Sequence, residues 1–280
     1  MSRKNNQKEI NRDDDIKNNE ASSISQIPIK NSLFGVGVTN ETRDSILEYL
    51  IDFIENSSEN CYVVTPNPEM IVFSQKNPDF KNILNQAQIA LCDGVGLWLA
   101  GKILGKPFQQ RITGVDFMEK LCEKVAEKPI TIGFLGGREG VAELTAKCLK
   151  AKYPGLKVVF TGSEWNEKSK VKNQNLENET TDDQRQIDIL FVAFGFPKQE
   201  QWMFEHLDEI HGIHKIPVRV MMGVGGSFDY MSGKIPRAPE FIRVIGLEWL
   251  YRLIRQPWRW KRQFALIQFV WLVIKEKSGI

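Results

Sequence analysis

Cysteine, histidine and long apolar runs are all scarce in this chain. Four cysteines and three histidines occur in 280 residues. Cys61, Cys92, Cys122 and Cys148 stand at least 26 residues apart with no CxxC pair. That spacing excludes a disulfide scaffold, a zinc ribbon and a dithiol redox couple, and leaves reduced, mostly buried thiols. His206, His211 and His214 crowd near one expected helix end without a cysteine or acidic set beside them. They read as helix-end polar residues, so no metal site is expected. The uncharged run 263–274 has twelve residues. As a helix it would reach about 18 Å at ~1.5 Å per residue, against a hydrocarbon core of ~30 Å, so it can lie in a membrane surface but not span it. Residues 1–30 are mostly Asn, Ser, Asp, Glu and Lys, the composition of a disordered tail. They contain neither a signal peptide nor an N-terminal anchor, and a cytoplasmic protein is expected.

What the chain does have is a division of charge. Residues 234–280 carry ten Lys/Arg, three Asp/Glu and four of the seven Trp, a net +7, whereas residues 1–233 sum to −5. A terminal segment that is cationic, Trp-rich and then apolar suits a surface that is anionic outside and greasy inside, as at a membrane interface. Arg252, Arg255, Arg259 and Arg262 recur at intervals of three, four and three, which places them on one helical face, with Pro257 as a kink. The competing reading is an amphipathic helix that docks on its own domain or on a second subunit. Nucleic acid is not the expected partner, because the bulk of the chain is acidic and the basic tail ends in an apolar run.

Between the tails, apolar β-branched runs alternate with amphipathic stretches. Strands are expected at 33–38, 62–65, 89–92, 131–135, 157–161, 187–194 and 218–222, and helices notably at 43–54, 115–126, 141–152 and 199–210. This alternation predicts an α/β fold: a Rossmann-like, doubly wound, mostly parallel sheet at 31–233, followed by a C-terminal helical, membrane-associating appendage at 234–280. The polar stretch 166–186 reads as a solvated loop or insertion.

In such a sheet ligands bind beyond the carboxyl ends of the strands. The segments there are rich in glycine and polar residues. They include Thr65-Pro66-Asn67-Pro68-Glu69, Asp93-Gly94-Val95-Gly96, Gly136-Gly137-Arg138, Gly195-Phe196-Pro197-Lys198-Gln199 and Gly223-Val224-Gly225-Gly226. Any one glycine can equally be a turn or close-packing device. Two nucleotide signatures are absent. Phe228 stands where a dinucleotide fingerprint needs its third Gly, and Gly233-Lys234 lacks both the earlier Gly and the following Ser/Thr of a P-loop. What remains is a nucleotide or phosphate held by backbone amides and helix N-termini.

Seven short blocks follow one another in order. They are Thr65-x-Asn67-x-Glu69, Asp93-Gly94-x-Gly96, Arg111-x-x-Gly114-x-Asp116, Phe134-Leu135-Gly136-Gly137, Phe194-Gly195-x-Pro197-Lys198-Gln199-Glu200, Gly223-Val224-Gly225-Gly226-x-Phe228-Asp229, and Arg237-Ala238-Pro239 with Gly246-Leu247-Glu248-Trp249-x-x-Arg252. Together they resemble the WecG/TagA/CpsF glycosyltransferase family over residues 33–263. The resemblance implies an inverting, metal-independent transfer from a UDP-sugar to a polyprenyl-diphosphate-linked sugar at the cytoplasmic membrane face. In the teichoic-acid branch it implies UDP-N-acetylmannosamine as donor and N-acetylglucosamine on undecaprenyl diphosphate as acceptor. Transfer of N-acetylmannosaminuronic acid or glucose within the same family, or non-catalytic nucleotide-sugar binding, stays open. The resemblance further implies an Arg-rich C-terminal appendage that completes the site at the membrane, and homo-oligomers.

Residue by residue, Asp93 matches the base of that family, the one group inversion needs when UDP is the leaving group. Its alternative role is to cap the following helix. Thr65 and Asn67 match residues that bind donor sugar or acceptor, or else form an Asx-Pro or Thr-Pro turn. Arg111 is the expected cation on the donor side, Gln199 lies near the donor, and Arg252, Arg259 and Arg262 are expected to clamp a diphosphate. Gly136, Gly137, Gly195, Gly223 and Gly225 supply the expected backbone cradle. No cofactor is expected.

Overall fold

A computed structural model describes residues 26–165, 187–209 and 218–279. The polar stretch 166–186, most of the N-terminal tail, His211 and His214 lie outside the described residues.

Six strands form one parallel sheet in the order β4-β3-β8-β7-β5-β6. They are β3 (Cys61–Val64), β4 (Ile89–Ala90), β5 (Thr131–Gly136), β6 (Lys157–Gly162), β7 (Ile187–Ala193) and β8 (Val218–Gly223). The central strands are almost wholly buried, which is why they read as unbroken apolar runs rather than alternating ones. Successive side chains nevertheless divide between two cores. Val63, Phe134, Phe191 and Met222 join one, and Val64, Leu135, Val192 and Met221 join the other.

The first core is covered by α1 (Arg43–Asn56), α5 (Gly114–Val125), α6 (Val141–Lys152) and the short α8 (Ser227–Met231). The second is covered by α2 (Pro68–Lys76), α3 (Pro78–Gln86), α4 (Val95–Ile103) and α7 (Lys198–Glu209). Local chemistry sets the starts. Thr42, Asn67 and Thr113 accept from the backbone N–H three residues on, and Pro68 and Pro78 open their helices.

One expected strand is two. Residues 33–38 straddle an antiparallel hairpin of β1 (Lys30–Leu33) and β2 (Val36–Thr39). Phe34 (φ 54°) and Gly35 (φ 77°) make its turn, with both central residues left-handed as a two-residue hairpin requires. The hairpin stays outside the main sheet and abuts its edge, where the Ala90 N–H donates to Thr39 Oγ1 at 3.0 Å.

Beyond Ser232 the chain forms α9 (Glu240–Val244), α10 (Glu248–Arg255), a 3-10 turn (Pro257–Arg262) and α11 (Gln263–Ser278). Of the readings of the terminal helix, docking on its own domain is the one the fold bears out. Phe269 and Val273 are buried against the second core, with the Phe269 ring edge-on to Phe34 at 5.8 Å, so α11 docks on its own domain. Phe264, Ile267, Trp271 and Ile274 on its other side are exposed. No helix among the described residues is long and apolar enough to cross a membrane. All four thiols are unpaired, and Cys61, Cys92 and Cys122 are buried, as expected.

Phe134 stacks on Phe191 and meets Phe228 edge-on, both at 5.6 Å. Phe134→Ala should therefore destabilise the fold by about 3–5 kcal/mol in urea unfolding. A change under about 1 kcal/mol would mean that this cluster does not hold the sheet to α8.

Candidate active site

The helices after β3, β8, β7 and β5 leave alternately toward the second, first, second and first core. Neighbouring connections thus part in opposite directions, and a crevice opens over the strand ends. A cavity of about 430 Å³ lies there, walled by Thr65, Gly137, Gly195, Gly225 and the Ser227–Asp229 turn. A second cavity of about 610 Å³ adjoins it and extends along α11 past Leu266, Ile267 and Val270. Asn67, Glu69, Asp93, Arg252 and Arg262 line both, so they mark the junction.

Asp93 reaches that junction because the chain beyond β4 keeps running beside β3. The Leu91 N–H donates to the Val64 carbonyl and the Asp93 N–H to the Pro66 carbonyl. Its carboxylate does not cap α4, whose N-cap is Gly94, although it accepts the Gly94 N–H. Burial pushes Asp93 up to about 7, and the charges of Glu248 and Asp116 add to this. Arg111 and the Gly94 N–H oppose the shift. A carboxylate so placed holds a proton near neutrality, which suits a general base.

Thr65 is buried at the end of β3 and faces the first cavity. Asn67 Oδ1 accepts the Met70 N–H, so the capping role is real, while its residue still lines both cavities. Of the five glycines expected to form a cradle, Gly137, Gly195 and Gly225 line the first cavity, each with positive φ. Gly136 and Gly223 lie behind it. A Cβ on Gly136 would fall 2.9 Å from the Ala193 backbone, and one on Gly223 would fall 2.9 Å from Gln199 Nε2, so these two serve close packing.

Gln199 turns its polar atoms inward rather than toward the opening. Its Oε1 accepts the N–H groups of Gly195 (3.2 Å) and Gly225 (2.9 Å), and its Nε2 donates to Glu200 (2.7 Å). It therefore ties together the loops after β7 and β8. Glu200 is buried, its second oxygen has no hydrogen-bond partner, and burial pushes it up to about 7.

Arg111 lines only the second cavity, and its Nη2 donates to the Arg243 carbonyl at 2.8 Å. It faces the apolar-walled side, away from the glycine cradle. Arg252 lies against Gly226 and over the Tyr230 ring at 4.9 Å. Arg262 Nε sits 3.4 Å from Glu69 Oε1. The side chain of Arg259 lies outside the described residues.

The site also contains residues that reading the sequence did not single out. Asp116 pairs with Arg237 at 2.6 Å and Arg243 at 3.6 Å, and Arg237 also meets Glu248 at 3.2 Å. Burial pushes Asp116 upward, but hydrogen bonds from Arg237 and Thr113 and the neighbouring guanidinium charges outweigh it and hold the carboxyl below its ordinary range. Asp116, Arg237 and Glu248 stand inside the ordered sequence blocks, which was the available signal. Among the described residues no group of three or more His, Cys, Asp or Glu is placed to hold a metal.

The model of the glycosyl transferase WecG/TagA/CpsF family matches residues 31–279. The chain belongs to this family. The match runs past residue 263, where the resemblance was expected to end, so α11 is part of the family pattern. Among similar proteins is the N-acetylglucosaminyldiphosphoundecaprenol N-acetyl-beta-D-mannosaminyltransferase of Bacillus spizizenii, 31% identical over 84% of this chain and 89% of the relative. Proteins of the same name from Bacillus subtilis (28%, covering 89% and 92%) and Staphylococcus aureus strain MRSA252 (30%, covering 90% and 94%) also match. This chain is thus a glycosyltransferase by family, and the cavities over its sheet are the place to seek its substrates.

The glycosyltransferase holds Asp93 at a cost to its stability. The folded-state value near 7 lies above the ordinary 3.8, so the native state keeps an extra proton between about pH 4 and 7, and stability falls as pH rises through that window. Asp93→Asn should accordingly raise unfolding stability at pH 8 by up to about 4 kcal/mol and have little effect near pH 4. Equal unfolding curves for both proteins at pH 8 would contradict a desolvated carboxylate.

Proposed function

We propose that this glycosyltransferase moves N-acetylmannosamine, with inversion, from UDP-N-acetylmannosamine to the N-acetylglucosamine of a polyprenyl-diphosphate-linked acceptor in teichoic-acid or surface-polysaccharide synthesis. One observation carries the reading: the half-buried carboxylate of Asp93 stands where a polar, glycine-walled cavity meets an apolar-walled one. The first cavity suits a nucleotide-sugar. The second suits a sugar diphosphate with the start of a hydrocarbon chain, and the relatives are named for such an acceptor.

In this reading Asp93 takes the proton from the acceptor hydroxyl. The oxygen attacks the anomeric carbon of the donor from the face opposite UDP, the carbon–oxygen bond to the β-phosphate breaks, and UDP departs. Arg252 and Arg262, at the junction, neutralise diphosphate charge through guanidinium hydrogen bonds, so no metal is required. Arg111, on the wall of the second cavity, serves the acceptor diphosphate rather than the donor side.

Residues 31–233 act as the catalytic core and 234–280 as an appendage that rests on the inner face of the cell membrane. The exposed Phe264, Trp271 and Ile274 of α11, with Phe241 and Val244 of α9, supply apolar contact beside a strongly cationic segment.

Three measurements test the proposal. UDP release and product mass should show acceptor-dependent addition of one N-acetylhexosamine in EDTA, with kcat/KM falling as pH drops below about 7. Asp93→Asn should lose roughly 10²- to 10⁴-fold in rate while UDP binding is kept. Normal turnover in that variant would remove Asp93 from the chemistry, and addition of glucose or an N-acetylhexosaminuronic acid instead would move the enzyme to another donor of the family. Replacing Phe264, Trp271 and Ile274 together by Ser should weaken sedimentation with anionic vesicles by roughly tenfold or more. Undiminished sedimentation would leave α11 without a lipid role.

A further inference from the structure

Several charged groups line the two cavities that Asp93 joins. Arg111 comes from the loop before α5, Asp116 from α5, Glu69 from α2, Arg138 from the loop before α6, Asp229 from α8, Arg243 from α9, Glu248 and Arg252 from α10, and Arg262 from the 3-10 turn. Four of these come from residues after 232. Glu248 and Arg252 stand one turn apart on α10, so a single face of that helix brings a carboxylate and a guanidinium to the cavity that holds Asp93.

Glu248 is half-buried and held in place. Arg237 Nε donates to its Oε1 at 3.2 Å, and the same guanidinium reaches Asp116 on the core at 2.6 Å. The Arg111 hydrogen bond to the Arg243 carbonyl fixes the backbone just before α10 to the core as well. The position of Glu248 relative to Asp93 is therefore set by contacts that exist only while the C-terminal segment is docked.

We propose that Glu248 is a positioning residue for the transfer, one whose carboxylate, carried by docking of the C-terminal segment into the cavity that Asp93 also lines, sets the charge environment in which Asp93 accepts the proton. The proposal rests on the reading of Asp93 as the base. An exposed aspartate is a poor base for a sugar hydroxyl, because it holds a proton too weakly at neutral pH. Burial and neighbouring negative charge correct this at Asp93. Burial is the larger influence, and Glu248 is the foremost of the charges, with Asp116 on the core adding to it. When the segment leaves, the charge of Glu248 is lost outright and the burial is reduced, because α10 and α11 wall the cavity. Competence for proton transfer is thereby tied to the same docking that brings Arg252 and Arg262 to the junction.

The test is the titration of Asp93 in the full-length protein, followed by ¹³C NMR of labelled aspartate carboxyls with Asp93→Asn used for assignment. The pH dependence of kcat/KM is measured in parallel. Glu248→Gln keeps an acceptor for Arg237 and removes the charge, and its Asp93 midpoint should fall by roughly 0.5–1 pH unit, with the acidic limb of kcat/KM moving the same way. Glu248→Asp keeps the charge, and its midpoint should stay near that of the parent protein. A midpoint unmoved by Glu248→Gln, or moved equally by both variants, would overturn the proposal and reduce Glu248 to a docking contact. The carboxyl titration needs no turnover, so silence toward every donor would count against the proposed transferase reaction while this coupling is still decided by NMR.

Discussion

A parallel sheet buried on both faces leaves its polar chemistry only one place to stand, the rim formed by the carboxyl ends of its strands. The core half of the candidate site follows from that constraint. The side chains of β3, β5, β7 and β8 are consumed by two cores, so the residues that line the first cavity from the sheet are those that follow them: Thr65, Gly137, Gly195 and Gly225. The alternation of following helices between the two faces then opens the rim into a crevice rather than a closed surface. Even here much of the polar capacity is used internally. Two loop amides converge on the single oxygen of Gln199, whose nitrogen is fixed in turn by a buried Glu200, so the shape of the first cavity depends on a side chain that offers its polar atoms to the protein.

The C-terminal segment adds what the rim lacks. Its arginines are not an undifferentiated cationic surface. Arg237 and Arg243 pair with Asp116 and serve attachment, Arg252 and Arg262 reach the junction of the cavities, and Arg255 lies over the Tyr251 ring on the same helix. Half-buried pairs of this kind are worth more than exposed ones, yet each also costs desolvation, so the network secures geometry more than raw stability. Burial of Phe269 and Val273 supplies the apolar part of the attachment.

The architecture was largely legible in the sequence because buried parallel strands announce themselves as apolar β-branched runs separated by amphipathic helices. The hairpin at Phe34-Gly35 was not, since a phenylalanine in a left-handed conformation is not a turn signal and the surrounding residues continue the apolar run. Asp93 was legible as a carboxylate following an apolar strand, and Arg252 and Arg262 as part of an arginine periodicity. The network of Asp116, Arg237 and Glu248 was hidden for a simple reason: Asp116 and its partners are more than a hundred residues apart, and charge composition cannot say which cation meets which anion. Gln199 shows the converse difficulty. Its neighbourhood is the ligand cavity, as expected, but residue type could not reveal that its amide faces the protein.

Withdrawing a carboxylate from bulk solvent, as at Asp93, is thermodynamically unfavourable, and the fold tolerates it because so much apolar area is buried elsewhere. The position of Glu248 follows the same reasoning. A second negative charge near Asp93 would destabilise a site built for binding alone, where arginines would be gathered around the anion to lower its energy. Here Arg237 is turned to Asp116 and Glu248, Arg243 to Asp116 and Arg262 toward Glu69. Asp93 has no ion pair of its own among the described residues. An anion so under-compensated, at the meeting point of two cavities, is what proton abstraction requires and what passive recognition of a nucleotide-sugar does not.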